Sequence, residues 1–171
     1  MKGYIHLYTG NGKGKSTAAL GLALRAAGAG MRVFIACFMK GRAYSEDGAL
    51  ARLRPAITVK KFGLRCFVGC TPSPADIAAA KRGLKEAERA IVSGKYGLVI
   101  LDEAAVAAHV GLFPVAELLR LADLKPRHVE LVITGRSAHL SLKKRADLVT
   151  EMKEVKHYYR KGVKARKGIE Y

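Results

Sequence analysis

The stretch TGNGKGKSTAALGLALRAAG, residues 9–28, decides the fold of this chain. It follows YIHLY, residues 4–8, a short run of β-forming residues, and its second half has the Ala/Leu content of a helix. A glycine-rich turn between a strand and a helix N-terminus brings backbone N–H groups close to phosphate oxygens. Lys15 adds a full positive charge, and the Ser16 hydroxyl can bind a magnesium ion. The stretch therefore predicts a nucleoside triphosphate site.

One position departs from the usual phosphate-loop pattern. That pattern has a glycine five residues before the glycine of Gly-Lys-Ser, whereas here Thr9 occupies this position and Gly10 lies four residues before Gly14. We therefore expect a loop that is tighter than usual. A dinucleotide-binding fingerprint is the competing interpretation, but the spacing of Gly10, Gly12 and Gly14 does not match it.

Beyond the loop, apolar runs bounded by turn residues alternate with Ala/Leu-rich segments, which is typical of a parallel sheet covered by helices. We predict strands at residues 4–8, 32–38, 57–62, 98–101 and 129–134, and helices at residues 15–29, 74–93 and 115–124. Residues 41–55 contain an Ala/Leu helix fragment among polar and charged residues, and within them residues 42–48 are expected to form a mobile loop. Residues 63–74 are also expected to be a loop. The predicted class is α/β, a three-layer fold like that of the P-loop NTPases with a mainly parallel central sheet.

A second half of the triphosphate site is expected at LVILDE, residues 98–103. Nucleotide-binding proteins of this kind carry an acid at the end of a hydrophobic strand, where it handles the metal ion. Asp102 and Glu103 end this strand together, and either carboxylate can bind magnesium directly or through water. An ordinary strand can also end in surface acids by chance. The pairing with the glycine-rich loop favours the metal-handling role.

The length and composition indicate one domain over residues 1–171, because 171 residues with 50% hydrophobic content bury one sizeable core. Lys and Arg total 31 against 14 for Asp and Glu, a net charge of +17 that favours polyanionic ligands. We expect neither an export signal nor a membrane span, because charged residues interrupt the apolar runs. Cys37, Cys66 and Cys70 are an odd number, so reduced thiols and a cytoplasmic location are expected rather than a metal site on Cys66 and Cys70.

The chain ends in a basic segment, residues 153–171, which we call the C-terminal segment. Its first 15 residues contain seven Lys or Arg and only Glu154 as an acid, which is typical of a solvated tail. Apolar residues interleave with these charges, and they favour a segment that packs over another part of the molecule. These residues are Val155, Tyr158, Tyr159, Val163 and Ile169.

Taken together, the motifs resemble the P-loop type of ATP:cob(I)alamin adenosyltransferases. The resemblance rests on residues 9–28 and on FMKG, LVILDE, VELVITGR, ADLVTEMKEVKH and GVKARKGIEY, which span nearly the whole chain. It implies transfer of the 5′-deoxyadenosyl group of ATP to the Co(I) of a corrinoid, with release of tripolyphosphate. It also implies Mg²⁺, an α/β homodimer, and a reductase that supplies electrons for the conversion of Co(II) to Co(I). The short loop is a feature of that family.

The resemblance also implies roles for particular residues. The positions matched to the phosphate-binding loop are Gly10, Asn11, Gly12, Lys13, Gly14, Lys15, Ser16 and Thr17. Ser16 and Glu103 match the magnesium ligands, and Asp102 would support the metal indirectly. Lys15, Glu103 and Asp102 are therefore the expected catalytic residues, and Arg136 falls in a segment placed around the site.

The corrinoid side of the expected site is less well marked. The chain has no Trp, so Phe67 is the candidate for crowding the lower face of the corrin, and Phe62 is the alternative. His157 lies in the matched VKH, although a lone histidine is more often structural.

Two other classes of function remain open at this point. The charge of +17 is compatible with a small P-loop ATPase that binds nucleic acid, but no RNA-binding aromatic motif appears in the sequence. A corrinoid carrier or an ATP-bound scaffold without catalytic activity is the third class.

Overall fold

The computed structural model describes residues 2–64 and 71–171. Six strands form one sheet in the order β3-β2-β4-β5-β1-β6, and every pairing in it is parallel. The strands are Ile5–Thr9 (β1), Val33–Phe38 (β2), Ile57–Phe62 (β3), Leu98–Asp102 (β4), Glu130–Thr134 (β5) and Leu148–Glu151 (β6). The α/β class with a parallel sheet is therefore confirmed.

Helices cover both faces of this sheet. They are Lys15–Gly28 (α1), Ser45–Ala51 (α2), Pro74–Val92 (α3), Ala104–His109 (α4), Val115–Leu124 (α5) and Leu140–Arg145 (α6), and a 3₁₀ turn follows at Tyr158–Lys161. On one face α1 packs its small residues Ala19, Ala23 and Ala26 against β2 and β4. The other face packs against α3 and α5 in the larger part of the core. The predicted strands and helices are confirmed, with ends within one residue of those observed.

Four of these elements differ from the prediction, because α4, α6 and β6 were not predicted and part of α2 was predicted as a loop. Residues 45–48, predicted as part of a mobile loop, belong to α2, whose acidic first turn is favourable at a helix N-terminus. β6 was not predicted, because all four of its residues are exposed and no alternation of buried and exposed positions marks it. It is held by its pairing with β1 rather than by a buried face of its own.

The topology brings the predicted motifs to one edge of the sheet. The glycine-rich loop follows β1, the two acids end β4, and β5 lies between these strands. Because all strands are parallel, their carboxyl ends meet at this edge, where ligands of open α/β sheets bind. Within the described ranges, no helix combines the length and the apolarity needed to cross a bilayer.

Candidate active site

The glycine-rich loop is held between the start of α1 and the chain that follows β6. Gly10 has a φ of 95°, and a Cβ placed on it would lie 2.5 Å from the carbonyl oxygen of Met152. Gly14 has a φ of 113° and caps the N-terminus of α1. The N–H of Gly12 donates to the Met152 oxygen at 2.7 Å, so the loop and this segment are directly hydrogen-bonded. A side chain at residue 10 would break both the backbone conformation and the close approach.

Lys15 is the first residue of α1, and its side chain folds back into the glycine-rich loop. Only 6% of the residue is exposed, and its Nζ donates to the carbonyl oxygens of Gly10 at 2.7 Å and Gly12 at 2.6 Å. Burial lowers the pKa of this ammonium, and the charge of Arg136 lowers it further, while Glu103 and Asp102 act in the opposite direction. Loop carbonyls therefore hold the charge at the position where phosphate oxygens are expected.

Asp102 lies behind the loop with both carboxylate oxygens engaged. The residue is 3% exposed, Thr134 Oγ1 donates to its Oδ1 at 2.8 Å, and Lys40 Nζ donates to its Oδ2 at 2.7 Å. Burial alone lowers the pKa of the Lys40 ammonium, but the charge of Asp102 and its hydrogen bond outweigh burial and hold that pKa above its ordinary value. Thr134 at the end of β5 and Lys40 just after β2 thus each hydrogen-bond one oxygen of Asp102.

Glu103 is positioned by the same network. It has a left-handed backbone with a φ of 59°, and its N–H donates to Thr134 Oγ1 at 2.9 Å. Burial raises the pKa of its carboxyl and the neighbouring charge of Asp102 raises it further, while Lys40, Lys15 and Arg136 oppose this shift. Glu103 is thus a non-glycine residue in a strained backbone conformation, and its side chain lines the cleft, whereas Asp102 is buried below the cleft floor.

The cleft consists of two adjoining cavities. The first, of about 580 Å³, is lined by the loop from Gly12 to Thr17, by Glu103 and Arg136, and by parts of the C-terminal segment. The second, of about 530 Å³, extends toward Leu20, Lys40 and Tyr44. Both have the size of a small-molecule site. Both are lined by Ser16, Thr17, Glu103, Ile169 and Glu170.

The end of the C-terminal segment lies across this cleft through polar contacts. Lys13 Nζ donates to the carbonyl oxygen of Ile169 at 3.0 Å, and Ser45 Oγ donates to that of Tyr171 at 2.7 Å. Hydrogen bonds from Tyr158 Oη and then from Arg166 lower the pKa of Glu170 to about 2, so this carboxylate stays ionised. The segment therefore does pack over another part of the molecule.

The interleaved apolar residues are not what holds this segment. Val155 is 95% exposed and Tyr159 is 72% exposed, so these two side chains do not pack, whereas Tyr158 is partly buried and Ile169 lines both cavities. Lys13 and Ser45 anchor it instead, by donating hydrogen bonds to its backbone carbonyls, and the Tyr158–Glu170 hydrogen bond holds the segment together internally. His157 lines the first cavity, and its Nδ1 accepts the Tyr159 N–H at 3.1 Å, which caps the 3₁₀ turn.

Comparison with known proteins assigns the chain to a family. A family model described as ATP:corrinoid adenosyltransferase BtuR/CobO/CobP matches residues 1–171. The chain belongs to this adenosyltransferase family. It is 35% identical over 171 residues to a corrinoid adenosyltransferase of Pseudomonas aeruginosa, covering 99% of this chain and 84% of that protein. It is 34% identical to the corrinoid adenosyltransferase of Escherichia coli strain K12, covering 99% and 86%.

Solved structures agree with the fold of this adenosyltransferase family member. A KaiC-like protein of Pyrococcus horikoshii aligns with a TM-score of 0.62 at 16% identity, covering 89% of this chain and 72% of that one. The RadB recombinase aligns with a TM-score of 0.57 at 13% identity, covering 91% and 77%. At such identities the likeness extends to the P-loop NTPase-like fold alone.

The structure brings most of the predicted site residues of this adenosyltransferase together. Those that line the first cavity are Gly12, Lys13, Gly14, Lys15, Ser16, Thr17, Glu103 and Arg136. Gly10 and Asn11 border a smaller cavity of about 220 Å³ near Lys143 and Glu151. Phe62 packs beside Phe38, with ring centroids 6.2 Å apart, in the core. Phe67 and the pair Cys66 and Cys70 lie outside the described residues.

Among the site residues that were not singled out from the sequence are the two that contact Asp102. Thr134 and Lys40 touch Asp102 from positions 32 and 62 residues away, so no local pattern joins them to it. Each does stand where a buried strand reaches the edge that carries the loop, Thr134 at the end of β5 and Lys40 just after β2. A polar residue at the end of a predicted parallel strand is the signal that could have found them.

Proposed function

We propose that this chain transfers the 5′-deoxyadenosyl group of ATP to the Co(I) of a corrinoid and releases tripolyphosphate. One observation carries the proposal. In a chain of the corrinoid adenosyltransferase family, a single cavity is lined by the phosphate loop, the Ser16 hydroxyl, the Glu103 carboxylate and the Arg136 guanidinium. These groups suit a polyphosphate with its metal ion, and the second cavity provides further room beside them.

The reaction asks the protein for placement and electrostatics rather than for a nucleophilic side chain. The electron pair of Co(I) forms the new bond to the ribose 5′ carbon, and the bond between that carbon and the phosphate oxygen breaks. Its electrons leave with the tripolyphosphate, and the alkylated cobalt is formally Co(III). The protein therefore has to hold the carbon in line with the cobalt and stabilise charge on the leaving oxygens.

The glycine-rich loop and Lys15 stabilise the negative charge that develops on the leaving tripolyphosphate. The free N–H groups at the start of α1 and the Lys15 ammonium are aimed at the cavity, and Arg136 adds a second positive charge at its wall. Lys15 is already desolvated, so its interaction with phosphate oxygens is stronger than the same contact in water. Phosphate oxygens would replace the carbonyls of Gly10 and Gly12 as its partners.

We further propose that Mg²⁺ enters with ATP and is held by Ser16 and Glu103. Hydroxyl and carboxylate oxygens are the donors that this ion prefers, and it characteristically binds through one or two carboxylates together with substrate phosphates. Bound there, magnesium would neutralise negative charge on the phosphates.

The wider setting follows from the family resemblance. We propose that the chain works as one domain and as a homodimer in the cytoplasm, and that a separate reductase supplies the electron that converts Co(II) to Co(I). Phe67 is proposed to crowd the lower face of the corrin. Support for a single unit comes from the cleft itself, to which residues near both ends of the sequence contribute.

Product analysis tests the proposed reaction. The protein is incubated with ATP, Mg²⁺ and chemically reduced corrinoid under anaerobic conditions, and the phosphate products are separated by ion exchange. We expect tripolyphosphate and an adenosylated corrinoid in equal amounts. Production of ADP and phosphate, stimulated by added RNA or DNA, would instead support the nucleic-acid-dependent ATPase.

A further inference from the structure

Lys40 is a buried charge that the proposed reaction leaves without a role. Its side chain is 13% exposed, and its Nζ lies 2.7 Å from Asp102 Oδ2 but 4.0 Å from Glu46 Oε1. The ring of Tyr44 lies beneath it, with the centroid 5.1 Å from Nζ. Lys40 therefore has one close charged partner, and that partner is the acid next to the expected magnesium ligand.

The two neighbouring acids have opposite surroundings. Both oxygens of Asp102 accept a hydrogen bond, one from Lys40 and one from Thr134, and the residue is almost fully buried. Glu103 has its N–H tied to Thr134, while its carboxylate borders both cavities. The described contacts thus leave one of the two carboxylates facing the cleft.

We propose that Lys40 is a positioning residue that commits Asp102 to an internal ion pair and thereby makes Glu103 the acid that meets magnesium and ATP. This inference rests on the proposed function. A carboxylate as deeply buried as Asp102 needs a compensating charge. Without Lys40, Asp102 would draw on the other cations near it, Lys15 among them, or on the metal ion itself.

That competition would damage the site in a specific way. Lys15 would be drawn from the loop toward Asp102, and the Asp102 carboxylate would compete with Glu103 for magnesium. The affected quantity is therefore the dependence of ATP binding on magnesium, before any chemistry on cobalt. Partners that orient a metal ligand in this indirect way typically change metal affinity or activity by about 10- to 100-fold when they are removed.

The test is a titration of the whole chain with ATP at a series of magnesium concentrations, followed by calorimetry and without corrinoid. For Lys40→Met we expect the magnesium concentration that gives half-maximal ATP binding to rise about 10-fold or more. Lys40→Arg keeps the charge and should remain closer to the wild-type protein. Circular dichroism checks that each variant is folded.

A double variant separates positioning from direct contact. Lys40→Met with Asp102→Asn removes both charges of the pair. The magnesium concentration that gives half-maximal ATP binding should therefore return most of the way to the wild-type value. If Lys40 acted by touching the nucleotide, the double variant would be as defective as the single one, and the proposal would be overturned. If Lys40→Met alone folds poorly, the double variant still decides, because positioning predicts ATP binding close to that of the wild-type protein and direct contact predicts a defect.

Lys61→Met is the matched control. Lys61 also lies over the Tyr44 ring at 5.1 Å, but it forms its ion pair with Asp47 in α2 and not with Asp102. It should bind ATP with the magnesium dependence of the wild-type protein. If Lys40→Met binds ATP with the wild-type magnesium dependence, the role proposed for Lys40 is refuted and the proposed function is not affected. If the wild-type protein binds no ATP at all, the proposed function is refuted.

Discussion

Replacing Thr134 by Val tests the hydrogen-bond network beneath the cleft. Thr134 is fully buried, its hydroxyl donates to Asp102 Oδ1 at 2.8 Å, and the same oxygen accepts the Glu103 N–H at 2.9 Å. Valine has nearly the same shape and suits a strand, so packing and backbone preference are retained. The substitution therefore removes two hydrogen bonds and little else.

The size of the effect follows from these two lost partners. A buried acceptor or donor left without its partner costs about 1–3 kcal/mol, which gives about 2–6 kcal/mol for the pair. In a chain of this size each kcal/mol lowers the melting temperature by about 2–4 °C, so we expect a decrease of about 10 °C. Glu103 should also lose its fixed orientation, and adenosyl transfer should slow.

Thermal and urea unfolding followed by circular dichroism measure this loss. Thr134→Ser is the control, because it keeps the hydroxyl and removes one buried methyl group, at about 1 kcal/mol. If the free energy of unfolding of the Val variant lies within about 0.5 kcal/mol of the wild-type value, the change is no larger than that of an ordinary surface substitution. In that case the hydrogen-bond network does not stabilise the fold. A Ser variant as unstable as the Val variant would assign the loss to packing.

Four further outcomes are expected. Lys15→Ala should fold and lose about 100-fold in turnover, the effect of one electrostatic group, so near-normal turnover would contradict the assignment of the phosphate loop. Glu103→Gln should lower activity, and added magnesium should partly restore it; unchanged ATP binding with only hydrolysis abolished would favour the ATPase. Phe67→Ala should slow adenosylation of Co(II) corrinoid with a mild reductant but not of corrinoid reduced beforehand, and equal losses would remove Phe67 from the site. Burial, and then the charge of Asp102, raise the pKa of the Cys37 thiol to about 12, so the thiol stays protonated at mildly alkaline pH. Iodoacetamide should label the Cys37 peptide only after unfolding, and labelling of that peptide in the native protein would contradict this burial.

The sequence predicted those parts of the fold whose signals are local. The phosphate loop, the strand that carries Asp102 and the helix α3 each combine turn or capping residues with a buried face within about 20 residues. β6 has no buried residue, and α2 buries only Leu50, so neither has a periodic pattern to detect. These elements depend on partners elsewhere in the fold.

The candidate site divides in the same way. Lys15, Ser16 and Glu103 belong to motifs that chemistry alone explains, and the structure places them around one cavity. Lys40 and Thr134 act through Asp102, and only the order of the strands brings them to it. The route of the C-terminal segment was predicted only in outline, because the contacts that hold it join Lys13 to Ile169 across nearly the whole chain.

The position of β1 in the sheet has a consequence for synthesis on the ribosome. The phosphate loop emerges well before both neighbours of β1, the strands β5 and β6, which end at Thr134 and Glu151. Until they emerge, β1 has neither of its hydrogen-bonding partners, and the core that receives Ile5 and Leu7 lacks Leu131 and Ile133. Contacts this distant in sequence form slowly and leave apolar segments exposed while they form. ATP can therefore stabilise the folded chain only after nearly all of it has been made.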